Sequence, residues 1–212
     1  MIINCLNKKR YEKHFIKLSK ATVAACCRAM GYKTEPRLKK VRFDHGEYSI
    51  AFIEIRGKYY IHYDIDVFNN IYLNNTQEEK DDILIFTMAH ECRHFYQYKQ
   101  LAAENPDEKE ETLKKWDYEF ENYADVTGGA SLSEFNKQAV EIDANLFGLL
   151  ALAEMSDSLL LLDHISDDYI ELLEQRHIEI YGCTDDVIFD RELYTRERAI
   201  HNKKIAERNN KS

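Results

Sequence analysis

The feature that most constrains this chain is a change of hydrophobic period before its middle. From about residue 37 to 67 apolar residues recur at every second position. Tyr48, Ile50 and Phe52 alternate, the break at Arg56-Gly57-Lys58 follows, and Tyr59, Ile61, Tyr63, Ile65 and Val67 resume the pattern. Period two with a glycine-bearing break predicts a β-hairpin with one face on a core. Leu38 to Phe43 is placed to add a third strand, and a sheet this small needs helices packed on it to be stable.

Downstream the period becomes helical. Thr76-Gln77-Glu78-Glu79 reads as a capping box, Thr at the N-cap with Glu three residues on, and opens a segment running to about Ala102. Ser131-Leu132-Ser133-Glu134 repeats the signal and predicts a second helix from there to roughly Met155. Between them, residues 103 to 127 are polar and acidic and read as a solvated helical insertion around Trp116, Tyr118 and Phe120, broken by Gly128-Gly129. Helical patterns also cover residues 8 to 31, ending at Gly31, and residues near 165 to 181 and 189 to 208. The expected fold is therefore α+β: a small, mostly antiparallel sheet with two central helices and additional N- and C-terminal helices. One domain, residues 1 to 212, is expected, with a core at about 37 to 155, a basic N-terminal helix at 8 to 31 and a C-terminal helical extension at 160 to 208.

Charge is segregated along the chain. Residues 1 to 45 hold twelve Lys or Arg against three Asp or Glu, within a chain of net charge -9. Arg10, Lys13, Lys17, Lys20 and Arg28 fall along one side of the first helix, opposite Phe15, Leu18 and Val23. A solvated face accounts for this pattern, and contact with nucleic acid or an acidic partner is the functional alternative. An acidic chain is a poor nonspecific DNA binder. No run of 18 apolar residues occurs, and the first residues lack a signal-peptide core, so no membrane association is expected and the cytoplasm is the expected location. Cys5, Cys26, Cys27, Cys92 and Cys183 are odd in number and form no C-x-x-C pair, which suits a reducing compartment.

The chemistry is concentrated in His90-Glu91-Cys92-Arg93-His94. On a helix, histidines four apart project from one face a turn apart and can share one metal, for which zinc is the natural match to nitrogen ligands. Glu91 then lies beside the ion, where a carboxylate can take a proton from zinc-bound water. Two histidines beside a surface glutamate is the plainer reading. Against it, Phe86, Met88, Ala89 and Phe95 surround the motif with apolar residues, where unpartnered histidines are costly. Cys92 projects from the other side of that helix, toward the core.

A zinc hydrolase needs a third protein ligand and an open position. Glu141-Ile142-Asp143-Ala144-Asn145 offers two carboxylates. Glu141 shares a face with Asn145, with the small residues Ala144 and Gly148 beside it, while Asp143 falls among Ala139, Val140, Leu146, Phe147 and Leu150. Periodicity leaves the choice between Glu141 and Asp143 open. Asn145 could orient a metal-bound imidazole from behind.

HECRH with EIDANLFG resembles the gluzincin arrangement of the ImmA/IrrE-type metallopeptidases and related mobile-element proteins, in which HExxH is followed by a helix reading E-x-E-A-N-x-F-A. The resemblance covers about residues 46 to 152. It implies Glu141 as the third ligand, and it implies zinc as the cofactor. The chain departs from the pattern in the 46 residues separating His94 from Glu141, and in Arg93 and Phe95 standing where Gly and an aliphatic residue are common. Residues and resemblance together lead us to expect a zinc-dependent metallopeptidase acting on a protein or peptide substrate, with Glu91 catalytic and His90, His94 and Glu141 on the metal. The alternative is a non-catalytic, zinc-stabilised regulatory or binding protein. An oxyanion-stabilising side chain is also required, and Tyr123, His164, His177 and Tyr181 are the candidates.

Overall fold

The computed structural model describes residues 2 to 43, 49 to 125, 129 to 156 and 165 to 183. Tyr48, His164 and the expected helix at 189 to 208 lie outside the described residues. The fold is α+β, with α1 (Ile2–Ala29), β1 (Arg37–Lys40), β2 (Ile50–Ile55), β3 (Lys58–Tyr63), α2 (Ile65–Ile71), α3 (Gln77–Leu101), α4 (Glu110–Glu121), α5 (Leu132–Asn136), α6 (Ala139–Ser156) and α7 (Asp167–Tyr181).

The sheet is mixed rather than simply antiparallel. β3 is central, paired antiparallel with β2 and parallel with β1, so that Ile61 stands opposite both Phe52 and Leu38. Arg56 and Gly57 both have positive φ, 52° and 75°, the left-handed pair that a two-residue hairpin turn needs. The alternation continues past β3, but the strand does not. Asp64 turns its carboxylate onto the backbone amides of Asp66 and Val67, so Ile65 and Val67, expected in the strand, form the first turn of α2. An N-cap overrides periodicity here because it satisfies amides that helix formation would otherwise leave bare.

One side of the sheet packs on α1 and α3. Phe15, Val23, Cys26 and Cys27 of α1 meet Ile50, Ile61 and Tyr63 of the sheet and Leu84, Met88, Ala89, Cys92 and Phe95 of α3. Cys92 is thus a core residue, as its helical position requires, while Cys183 is exposed. Arg10, Lys13, Lys17, Lys20 and Arg28 lie exposed on the opposite side of α1. Among the described residues no helix is long and apolar enough to cross a membrane.

The capping box at Thr76 forms as expected: its hydroxyl accepts from the Glu79 amide at 3.2 Å, and the Glu79 carboxylate accepts from the Thr76 amide at 2.6 Å. The Ser131 box also forms, but its helix stops at Asn136 and α6 begins afresh at Ala139. Tertiary contacts hold this break open. The Gln138 carboxamide both donates to and accepts from the Ala124 backbone, and the Glu119 carboxylate accepts from the Val140 amide at the start of α6.

Glu119 belongs to the acidic insertion, which is therefore not merely solvated. Trp116 is fully buried against Tyr96 and Val140. α6 lies close along α3, as its small residues predict: a Cβ on Gly148 would sit 2.9 Å from the Phe86 ring and 3.1 Å from the Phe86 carbonyl oxygen. That close approach brings the motif residues of both helices together.

Candidate metal centre

The α3–α6 contact gathers His90, His94 and Glu141 so that one ligand atom from each lies within 4.8 Å of the others. His90 Nε2 is 3.0 Å from His94 Nε2 and 3.3 Å from Glu141 Oε2, and His94 Nε2 is 3.4 Å from Glu141 Oε1. The Glu141 side chain is wholly buried, and its Oε2 accepts no hydrogen bond. Buried carboxylate oxygens are almost always satisfied, so an orphan beside two imidazoles is informative.

The far side of each ring explains what the cluster lacks. His90 Nδ1 meets Asn145 Oδ1 at 2.9 Å, and His94 Nδ1 meets Gln97 Oε1 at 2.8 Å. Both partners are acceptors, so both Nδ1 atoms carry the proton and both Nε2 lone pairs point inward. Two lone pairs then converge on a carboxylate whose Oε1 accepts from the Tyr123 hydroxyl and whose Oε2 accepts nothing. A divalent cation resolves that repulsion, and two imidazoles with one carboxylate are a donor set that zinc takes. Without a cation, burial disfavours charge on His94, but the attraction of Glu141 is stronger and pushes its pKa up to about 9, so that a proton substitutes for the ion. Burial likewise opposes charge on Glu141, yet His94 and His90 hold it well below the usual carboxylate range.

Glu91 projects toward the sheet from the same turn of α3. Its Oε2 accepts from the Phe52 amide of β2 at 2.6 Å. Burial raises its pKa, an effect only partly offset by His90, His94 and that amide.

Asp143, the other carboxylate in the motif, faces elsewhere. Arg93 reaches it through Nε at 2.7 Å, Arg176 of α7 through Nε at 2.8 Å, and Gln97 through Nε2 at 2.8 Å. Glu108 completes this group with ion pairs of 3.2 Å to both arginines. Burial raises the Asp143 pKa, but Arg93 and then Arg176 bring it below its ordinary value. Geometry thus separates two residues between which periodicity left the choice open.

Of the oxyanion candidates, Tyr123 is at the cluster, its hydroxyl donating to Glu141 Oε1. His177 instead meets the Cys183 carbonyl and packs on Tyr181. Gln97, Tyr169 and Arg176 escaped the sequence reading. Gln97 is three residues from His94, a helical neighbour that spacing could have flagged, whereas nothing local ties Tyr169 or Arg176 to the motif. Comparison with protein-family models, curated proteins and solved structures finds no match.

Proposed function

We propose that this chain is a zinc-dependent metallopeptidase that hydrolyses peptide bonds of a protein or peptide substrate in the cytoplasm. The observation that carries the reading is the meeting of His90 Nε2, His94 Nε2 and the buried Glu141 carboxylate, whose Oε2 accepts no hydrogen bond, with Glu91 on the adjoining side. The cytoplasmic assignment is supported by the buried free thiols of Cys26, Cys27 and Cys92.

Zinc held by His90, His94 and Glu141 would supply Lewis acidity, polarising the scissile carbonyl and acidifying water. Glu91 takes the proton from the attacking water and delivers it to the amine nitrogen as the C–N bond breaks. The Phe52 amide fixes one carboxylate oxygen and so limits the rotamers from which Glu91 acts. The Tyr123 hydroxyl, already at the cluster, donates to the oxyanion that develops on the carbonyl.

A second reading, a non-catalytic zinc-stabilised protein, is favoured by how closed the cluster is: the side chains of His90 and His94 are only 13% and 9% exposed. Glu91→Gln separates the two. Zinc-loaded wild type and variant are incubated with a peptide library and the products read by mass spectrometry. A peptidase gives cuts that fall by roughly 10²- to 10⁴-fold in the variant while bound zinc and helix content persist. Equal product patterns would leave only the second reading.

A further inference from the structure

Behind each metal-facing histidine stands a carboxamide, and a carboxamide can present either its oxygen or its NH2. Which end faces the imidazole decides which ring nitrogen keeps a lone pair for a metal. Both amides are held by further groups. Asn145 Nδ2 donates to the Tyr169 hydroxyl at 2.7 Å, with Oδ1 toward His90, although a hydroxyl can serve either end of an amide. Gln97 Nε2 donates to the Val140 carbonyl at 2.9 Å and to Asp143 at 2.8 Å, which leaves Oε1 toward His94. Asp143 is in turn held by Arg176 as well as by Arg93.

Tyr169 and Arg176 are seven residues apart on α7, two turns along one face, a separation of about 10 Å. Asn145 and Asp143 are likewise neighbours on α6. One face of α7 therefore reaches both relays. Rotation of either amide would turn an NH2 group toward Nδ1, favour the Nε2–H tautomer and place a proton where a ligand lone pair is needed.

We infer that α7 positions the carboxamides behind both metal-facing histidines, Tyr169 holding Asn145 against His90 and Arg176 acting through Asp143 and Gln97 on His94. Tyr169 and Arg176 are positioning residues, and the helix bearing them lies in the C-terminal extension that the motif resemblance does not cover. This inference rests on the cluster binding a divalent metal and is independent of whether the protein cleaves peptides.

The test uses the full chain, with zinc affinity measured by competition against a chromophoric chelator and ligand geometry by the absorption spectrum of the Co²⁺ form. Tyr169→Phe and Arg176→Met should each weaken zinc binding roughly 10- to 100-fold and alter the cobalt spectrum. Arg176→Lys, which keeps a cation beside Asp143, should recover part of the affinity. Tyr181→Phe, on the same helix but packed on His177, should leave both readouts at wild-type values. Wild-type affinity and spectrum in both Tyr169→Phe and Arg176→Met would overturn the inference, and so would equal weakening by Tyr181→Phe, which would mean that any loosening of α7 suffices. Should Arg176→Met fail to fold, Tyr169→Phe, which removes one oxygen atom, decides alone. A wild type that takes up neither ion removes this inference together with the metal reading, whereas metal binding that weakens as described without peptide cleavage removes only the peptidase.

Discussion

Two buried polar clusters lie side by side between α3 and α6, and they are built in opposite ways. Arg93, Arg176, Asp143 and Glu108 bring two cations and two anions, joined by hydrogen bonds and ion pairs of 2.7 to 3.2 Å. His90, His94 and Glu141 bring two lone pairs and an anion, with one carboxylate oxygen accepting nothing. The first contains its own counter-ions; the second could take one from outside, or a proton on His94 in its place. Burying charge is costly in either case, and the cost is offset by fixed counter-ions in one and open to a cation or a proton in the other. A buried ion group that balances itself is therefore read as structure. An acceptor cluster with a bare buried oxygen is the better candidate for function.

Removing an anion from the balanced cluster should produce the largest loss of stability. Asp143→Asn leaves two buried guanidinium groups with one largely buried carboxylate, Glu108, and the exposed Glu179, and should cost about 3–5 kcal/mol in the metal-free protein, measured by urea unfolding. Zinc affinity should suffer less than in Glu141→Ala, because an amide oxygen at 143 can still accept from Gln97. If Asp143→Asn abolished metal binding while Glu141→Ala spared it, the assignment of the two carboxylates would be reversed.

Stripping the ion is the matching perturbation of the other cluster. At free zinc a hundred times its Kd, binding to the folded state alone is worth about 2.7 kcal/mol, so a chelator should lower the unfolding midpoint accordingly. Glu141→Ala and His94→Ala should abolish that difference to a similar degree, since a three-ligand site does not stay tight on two. A midpoint indifferent to chelator in protein shown to contain zinc would mean that the ion does not join the helices.

The pH dependence of the metal-free protein should expose the same imbalance more gently. The folded His94 pKa, raised to about 9 from an ordinary 6.5, means that pairing with Glu141 stabilises the fold fully below about pH 6.5. That contribution is lost as the pH rises through about 9 and folded His94 gives up its proton. The thermal midpoint of metal-free protein should thus fall between pH 6.5 and 9, and zinc should flatten the slope. A flat profile without metal would show that His94 and Glu141 are not coupled as drawn.

The smallest effect belongs to a site remote from both clusters on the helix that carries each of them. Thr76→Ala removes the α3 N-cap and should cost about 1 kcal/mol in calorimetry, with zinc affinity unchanged. A change in affinity there would mean that the whole of α3, rather than its local partners, sets the geometry of the cluster.

Much was decided within a few residues of chain. The caps at Thr76 and Ser131, the hairpin at Arg56-Gly57, the placing of His90 and His94 on one helical face and the close approach allowed by Gly148 all follow from local spacing and propensity. The limits are equally local in origin. Alternation could not see that Asp64 would cap α2, nor could a capping box tell how soon its helix would stop, because Glu119 and Gln138 hold the α5–α6 break through partners distant in the chain. Likewise, Glu141 and Asp143 are separated by a single residue, and a helical period says only that both are inward. Arg93 and Arg176 turn one into a counter-ion, and the two histidines claim the other. Periodicity reports which side of a helix a residue occupies, while the charge it meets there depends on which helix packs opposite, and that is set only when α3, α6 and α7 come together.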